Sequence, residues 1–336
     1  MGRDPKLARY LRQLMLPEIG HDGQQRLLKS KVLVLGGGAL GSVAAVLLAR
    51  AGVGHLRIVD RDIVERSNLH RQMFFEADID KPKAEALAAH ISAANPEVEV
   101  EALSTDFNSS NAETLVKSVD VVLEGTDNLE TRYLLNDAAF KNSVPWVYSG
   151  AVGTQGMLAY FAPPSPCFRC IFREPPPPGA LDTCETAGVL NTATTSVASF
   201  AVALTLRNLL GKGKKGELTI LDGWGLETKR IAFEAREDCP CCAKGEYEFL
   251  RQEGKLYLSL CGRDAVHVSP KKKGSLDIQG LAAKLEQQGT VKVVGGTCVL
   301  DTGEFSLVIF RDGRAIIKGV DDISKARALY SRYVGD

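Results

Sequence analysis

The chain has 336 residues, with 41 Lys and Arg against 41 Asp and Glu, 45% apolar residues and 24% charged ones. That length allows one large or two ordinary domains with a sizeable core, and zero net charge gives no bulk electrostatic case for nucleic acid or a membrane surface. The charged start "MGRDPKLARYLRQ" lacks the apolar stretch of a signal peptide, and runs such as "VASFAVALTL" are too short to span a bilayer. A cytoplasmic protein is expected, whose cysteines serve as ligands or nucleophiles rather than as disulfides.

Residues from about 9 to 30 read as an N-terminal helical arm. "VLVL" at 32–35 is a buried strand, 36–41 a glycine turn, and 42–51 has helical apolar spacing. "HLRIVDRD" is the next strand, residues 82–94 a helix, and "VEVEAL" a strand of period two. "VDVVLEGTDN" is a short strand running into a polar tip, followed by the helix "TRYLLNDAAFKNS" and the strand "VPWVYSGAV". Strands alternating with helices predict a Rossmann-like, doubly wound α/β sheet. "MLAYFAPPSPCFRCIFREPPPPGALDTC" is rich in proline and reads as one long loop rather than helix or central strand. A helix over 194–210 and a possible hairpin, "LTILDGW" with "TKRIAFEA", come next. From about Tyr247 the rhythm changes to short strands, "KLYLSLCG", "VKVVGG", "TCVLD", "FSLVIF" and "RAIIKG", with helices at 276–288 and 323–334. The expected organisation is an arm (1–30), a nucleotide-binding domain (31–248) and a small C-terminal α+β domain (249–336).

Gly36-Gly37-Gly38-Ala39-Leu40-Gly41 fits G-x-G-x-x-G between a strand and a helix. Gly36 permits the tight turn, Gly38 lets backbone approach phosphate, and Gly41 lets the helix pack on the sheet. The helix N-terminus offers unpaired N–H groups to an anion. Asp60 ends the following strand, 19 residues after Gly41, where a ribose-binding acid belongs. To this point NAD and ATP are equally served, and an NAD-dependent oxidoreductase remains an alternative. The next stretch, "RDIVERSNLHRQMFFEADIDKPKAEAL", places Asn68, Arg71 and Lys83 close behind the acid. Two cations there suit a triphosphate, whose charge must be neutralised as pyrophosphate leaves.

Two CxxC pairs, Cys167/Cys170 and Cys239/Cys242, lie about 70 residues apart. In a cytosolic chain they read as a tetrahedral four-cysteine zinc site that pins the loop to the body. Cys241 inside the second pair leaves the register ambiguous, although only 239/242 has the CxxC spacing. Cys184 ends the long loop, either as a reactive thiol or as an ordinary small residue. Cys261 and Cys298 fall in expected strands as buried filler.

"DxDxVxxSNLxRQ", "DxxKPKA" and "GTDNxxTRxxLN", together with "RYLRQLMLPEIGHDGQQRL", "PCFRC", "CETAGVL" and "CPCC", resemble the ThiF/MoeB family over roughly residues 8–245. These are adenylyltransferases of sulfur-carrier proteins, related to ubiquitin-activating enzymes. The resemblance implies a small ubiquitin-like carrier ending in Gly-Gly, whose terminal carboxylate attacks the α-phosphate of ATP. It implies that Asp60 binds ribose, with Asp62 beside it, and that Arg71 and Lys83 neutralise phosphates while Asn68 bonds the same region. Asp127, next to Asn128, would hold Mg²⁺, and Arg12 would reach the nucleotide of a neighbouring subunit in a homodimer. In the ThiF branch the Cys184 position is implicated in a covalent link to the carrier. A sulfur donor, cysteine desulfurase or rhodanese, is a further implied partner, with the thiamine and molybdenum-cofactor routes both open. No strong general base is needed, because a carboxylate is already ionised at neutral pH. The C-terminal stretch lacks a rhodanese-like loop, so it is expected to pack or dock rather than carry sulfur. A non-catalytic zinc scaffold that binds a ubiquitin-like partner is the remaining alternative.

Overall fold

The computed structural model describes residues 5–177, 180–184, 186–251, 257–259, 265–270, 274–320 and 322–335. The chain forms two compact units, and they are interleaved in sequence. The first holds Met1–Asp62, Ser67–Phe75 and Lys83–Gln252; the second holds Ile63–Arg66, Glu76–Pro82 and Glu253–Asp336.

The first unit opens with a 3-10 turn (Pro5–Tyr10) and the helices α1 (Leu11–Leu14) and α2 (Gly20–Lys29). The arm is therefore broken into pieces, with Pro17 standing between the two helices. Then come β1 (Lys31–Leu35), α3 (Ala39–Ala51), β2 (His55–Val59), α4 (Lys83–Ala94), β3 (Glu99–Leu103), α5 (Ala112–Val116), β4 (Val121–Glu124), α6 (Leu129–Lys141) and β5 (Trp146–Val152). β6 (Gln155–Phe161), α7 (Phe168–Ile171), α8 (Asn191–Leu209), β7 (Glu217–Asp222) and β8 (Glu227–Ala232) complete it. The sheet runs β3-β2-β1-β4-β5-β6-β7-β8. Its first five strands are parallel and the rest antiparallel, so the doubly wound sheet is mixed. β1 and β4 are apolar because both faces of a parallel sheet are covered; Val32, Leu33, Val34, Val121, Val122 and Leu123 are fully buried.

One expectation fails here. Met157–Phe161, assigned above to the proline-rich loop, is part of β6, which pairs with both β5 and β7. The prolines begin only at Pro163, so their influence was extended too far upstream. The loop itself also contains the short helix α7. α5 and the C-terminal strand at Ala265–Val268 were not anticipated either.

α3 shows how local chemistry sets an element's ends. Its C-cap, Gly52, has φ +85°, and a Cβ there would lie 2.5 Å from Gln24 Nε2. Only glycine suits a left-handed, close-packed cap. Gln24 and Gln13 both donate to Ala51 O, tying the arm to that end of α3. α6 begins at Asn128, whose Oδ1 accepts from Glu130 N at 2.8 Å.

In the second unit, β9 (Tyr257–Ser259), β10 (Ala265–Val268), β11 (Thr290–Val294), β12 (Thr297–Asp301), β13 (Ser306–Phe310) and β14 (Ala315–Lys318) form an antiparallel sheet ordered β11-β12-β13-β14-β10-β9. α9 (Ile278–Leu285) and α10 (Ile323–Tyr333) pack with one face of it, around Val266, Leu300, Leu307, Ile309 and Ile317. Cys298 is buried there; Cys261 lies outside the described residues. Among the described residues no helix is long and apolar enough to cross a membrane.

Candidate active site

The strand order reverses between β1 and β4, since the chain moves outward to β2 and β3 on one side and to β5 on the other. At such a switch point the loops after two neighbouring strands diverge and leave a crevice at the carboxyl edge. The glycine turn leaves β1 at this point and "GTDN" leaves β4 beside it. Gly36 has φ +89°, and its N–H donates to Val59 O at 2.8 Å. A Cβ on Gly41 would sit 1.7 Å from Gly36 O, so α3 can begin this close to the turn only with glycine. A Cβ on Gly38 would meet nothing nearer than Gln72 Nε2 at 4.0 Å. The turn is thus tight against the protein at Gly36 and Gly41 and open at Gly38.

Asp60 faces this turn. Its Oδ2 accepts from Gly37 N at 2.6 Å and its Oδ1 from Asp62 N at 2.7 Å. Burial pushes the Asp60 carboxyl up from its ordinary range, with the charge of Lys83 pulling the other way. Lys83 is buried at the start of α4, its Nζ 3.3 Å from Asp62 Oδ2 and its backbone N–H donating to Asp62 O. Asn68 and Gln72 are buried side chains whose Oδ1 and Oε1 have no hydrogen-bond partner among the described residues. An unmet buried acceptor is costly unless something else bonds it. Arg71, in the same turn, donates from Nη1 to Ser67 O at 2.8 Å and is half-buried.

A network at the tip of β4 was missed from sequence. Glu124 is fully buried and accepts from Thr126 N, Thr126 Oγ1 and Arg132 Nε. Arg132 Nη2 donates to Thr126 O at 2.7 Å, and the guanidinium lies over the Tyr148 ring. Burial pushes the Glu124 carboxyl up, and Arg132 opposes that shift. A charged residue ending an apolar strand, with an arginine eight residues on, was the available signal. The network holds the backbone of 124–126, so that Asp127 projects as an exposed carboxylate beyond it.

Cys184 lies by the same crevice. Its Sγ is 3.1 Å from Ala151 O, and burial pushes the thiol up, with Asp127 adding to that shift and Arg71 and Arg132 opposing it. Its loop is tied down by Gly153, which bonds Gly188 O and Leu190 N. Arg12 is not brought into this group. Its neighbour Gln13 bonds the C-terminal end of α3, about 20 Å along the helix axis from the glycine turn.

The four CxxC sulfurs converge. Cys167 Sγ is 3.5 Å from Cys239 Sγ, Cys170 Sγ is 3.4 Å from Cys242 Sγ, and all four lie within 4.8 Å of one another. A tetrahedral site with Zn–S bonds of about 2.3 Å sets its sulfurs about 3.8 Å apart. Cys241 is held elsewhere, accepting from Asn136 Nδ2 at 3.1 Å, which resolves the register. Hydrogen bonding from Cys167 holds Cys239 well below the usual thiol range, while the same neighbour pushes Cys170 and Cys242 above it. Bound zinc would let all four ionise together. Phe168, between the first two cysteines, packs among Tyr133, Trp146, Tyr148 and Phe161, so the cluster is joined to the core. If the cluster holds zinc, stripping it with a strong chelator is expected to lower the Tm by roughly 10 °C. Cys170→Ser should lose the metal and Cys241→Ser should keep it, as read by zinc released per chain on denaturation.

A switch-point glycine turn with an acid on the next strand is the arrangement of an α/β nucleotide-binding protein. A family model described as the ThiF family matches residues 10–241, and the chain belongs to that family. It is 36% identical over 337 residues to the sulfur carrier protein ThiS adenylyltransferase of Bacillus subtilis (strain 168), covering 98% of this chain and 99% of that protein. It is 38% identical over 266 residues to the sulfur carrier protein adenylyltransferase of Thermus thermophilus, covering 76% and 97%. Among solved structures, E. coli MccB with ATP superposes with a TM-score of 0.61 at 19% identity, over 70% of this chain and 74% of that one. At that identity the likeness concerns the fold.

Proposed function

We propose that this protein adenylylates the C-terminal carboxylate of a ubiquitin-like sulfur-carrier protein. The observation that carries the reading is one crevice lined by the open face at Gly38, the unmet acceptors of Asn68 and Gln72, the cations Arg71 and Lys83, and the exposed Asp127. Asp60 offers a half-buried carboxylate for a ribose hydroxyl, and the N-terminus of α3 faces phosphate. The carrier's terminal carboxylate oxygen attacks the α-phosphorus of ATP. The bond to the bridging oxygen breaks, and pyrophosphate leaves with that electron pair. Arg71 and Lys83 oppose the charge that grows on the departing group. Asp127 and Asn128 stand where Mg²⁺ would be held, and that ion would reduce the repulsion between carboxylate and polyphosphate. The relatives named above act on sulfur carriers, which supports a Gly-Gly-ended carrier here, in a thiamine or molybdenum-cofactor route.

Arg12, remote from its own crevice, is a candidate to enter a neighbour's in a homodimer. Zinc has a structural place in the four-cysteine cluster. Cys184 can attack the acyl adenylate carbonyl, forming a thioester as AMP departs. A desulfurase or rhodanese would supply sulfur, and a cytoplasmic location fits this assignment.

Mass spectrometry of a Gly-Gly-ended carrier after incubation with the protein and Mg-ATP tests the reading. Carrier adenylate is expected, and Cys184→Ser should still form it while losing any carrier–protein adduct. Carrier that binds but stays unmodified would reduce the protein to a scaffold.

A further inference from the structure

The loop that carries Asn68, Arg71 and Gln72 belongs to the first unit, but both of its ends belong to the second. Its stem is a short antiparallel pairing. Ile63 bridges Pro82, Val64 N donates to Lys81 O at 2.9 Å, and Asp80 N donates to Val64 O at 3.0 Å. Arg66 and Glu76 close the loop end of the stem at 3.0 Å.

Within the second unit this stem is fastened to the C-terminal sheet. Ile63, 2% exposed, packs with Ala265, Val308, Phe310 and Ile316 on the sheet face opposite to α9 and α10. Glu65 pairs with Lys318 of β14 at 2.6 Å, and Asp80 with Lys292 of β11 at 3.3 Å. Thr297 Oγ1 of β12 lies 3.4 Å from Asp80 O while donating to Val294 O at 2.7 Å. Three strands and an apolar cluster therefore grip the two ends of a nine-residue loop, residues 67–75.

We propose that the C-terminal unit is a positioning element for nucleotide binding. By clamping the stem, it presets the loop that presents Asn68, Arg71 and Gln72, so that ATP does not have to order the loop as it binds. Glu65, Lys318 and Ile63 are then positioning residues that act through the loop without touching substrate. The inference rests on the nucleotide reading above and extends it to the second unit.

The test uses the full chain in carrier-dependent ATP–pyrophosphate exchange. Ile63→Ala is expected to raise KM for ATP by about threefold to tenfold, with kcat and the KM for carrier changed less than about twofold. Lys318→Glu should raise it about twofold to threefold, and the swap Lys318→Glu with Glu65→Lys should return it towards the wild-type value. The swap keeps the proposal testable if Ile63→Ala unfolds. An unmoved KM for ATP in the single variants, or a swap no better than the product of its singles, would overturn the clamp alone. If the wild-type chain neither binds Mg-ATP nor exchanges pyrophosphate, the functional reading and the clamp fall together.

Discussion

Asp127→Ala is expected to lower kcat/KM for carrier adenylylation by about 10²–10³-fold while leaving the Tm within about 1 °C of wild type. The separation follows from where Asp127 sits. The buried Glu124–Arg132 pair and its bonds to Thr126 hold the strand tip, and Asp127 stands exposed beyond them. Its carboxylate supports no described packing, so its loss should cost chemistry rather than stability. Asp127→Asn should behave alike, because an amide keeps the shape and loses the charge. ATP–pyrophosphate exchange measures the activity and thermal denaturation the fold. Exchange at the wild-type rate in either variant would remove Asp127 from the metal assignment.

Two alanine substitutions in the glycine turn should diverge. Gly41→Ala places a methyl 1.7 Å from Gly36 O, a backbone atom that cannot step aside without breaking the turn. A loss of about 3 kcal/mol or more is expected, with nucleotide binding lost as well. Gly38→Ala places its methyl in open space, since φ at Gly38 is −77° and the nearest atom is the end of a flexible glutamine. Its stability should change by less than about 1 kcal/mol, yet affinity for ATP should fall about tenfold or more, because the proposed nucleotide site puts the phosphates in that space. Isothermal titration with Mg-ATP beside denaturant melts separates the two effects. Tight ATP binding by Gly38→Ala would mean that the nucleotide lies elsewhere.

The parallel half of the sheet was legible because strands covered on both faces must be apolar throughout, as "VLVL" and "VDVVL" are. The glycine turn and the acid at 60 were legible because each answers a local geometric demand at fixed spacing. β6 was hidden by Pro163, Pro164 and Pro166, which follow the strand rather than interrupt it. The choice between Cys241 and Cys242 had to await Asn136, which takes Cys241 from 105 residues away. The grip on the stem at 63–66 was illegible for the same reason. Ile63 in "DRDIVERSN" looks like any apolar residue after a strand, and nothing local names Val308 or Phe310 as its neighbours.

The interleaving also has a consequence for synthesis. The stem leaves the ribosome early, but the strands that cover it are encoded from Ala265 onward. At translation rates of about 5–20 residues per second, Ile63 waits about 10–50 s for its partners. During that interval the nascent chain presents an uncovered apolar residue, and any variant whose release is premature ends life in that state. Truncation before Ala265 should therefore lower the protein's abundance in cells, through chaperones and proteases, in addition to weakening its hold on ATP.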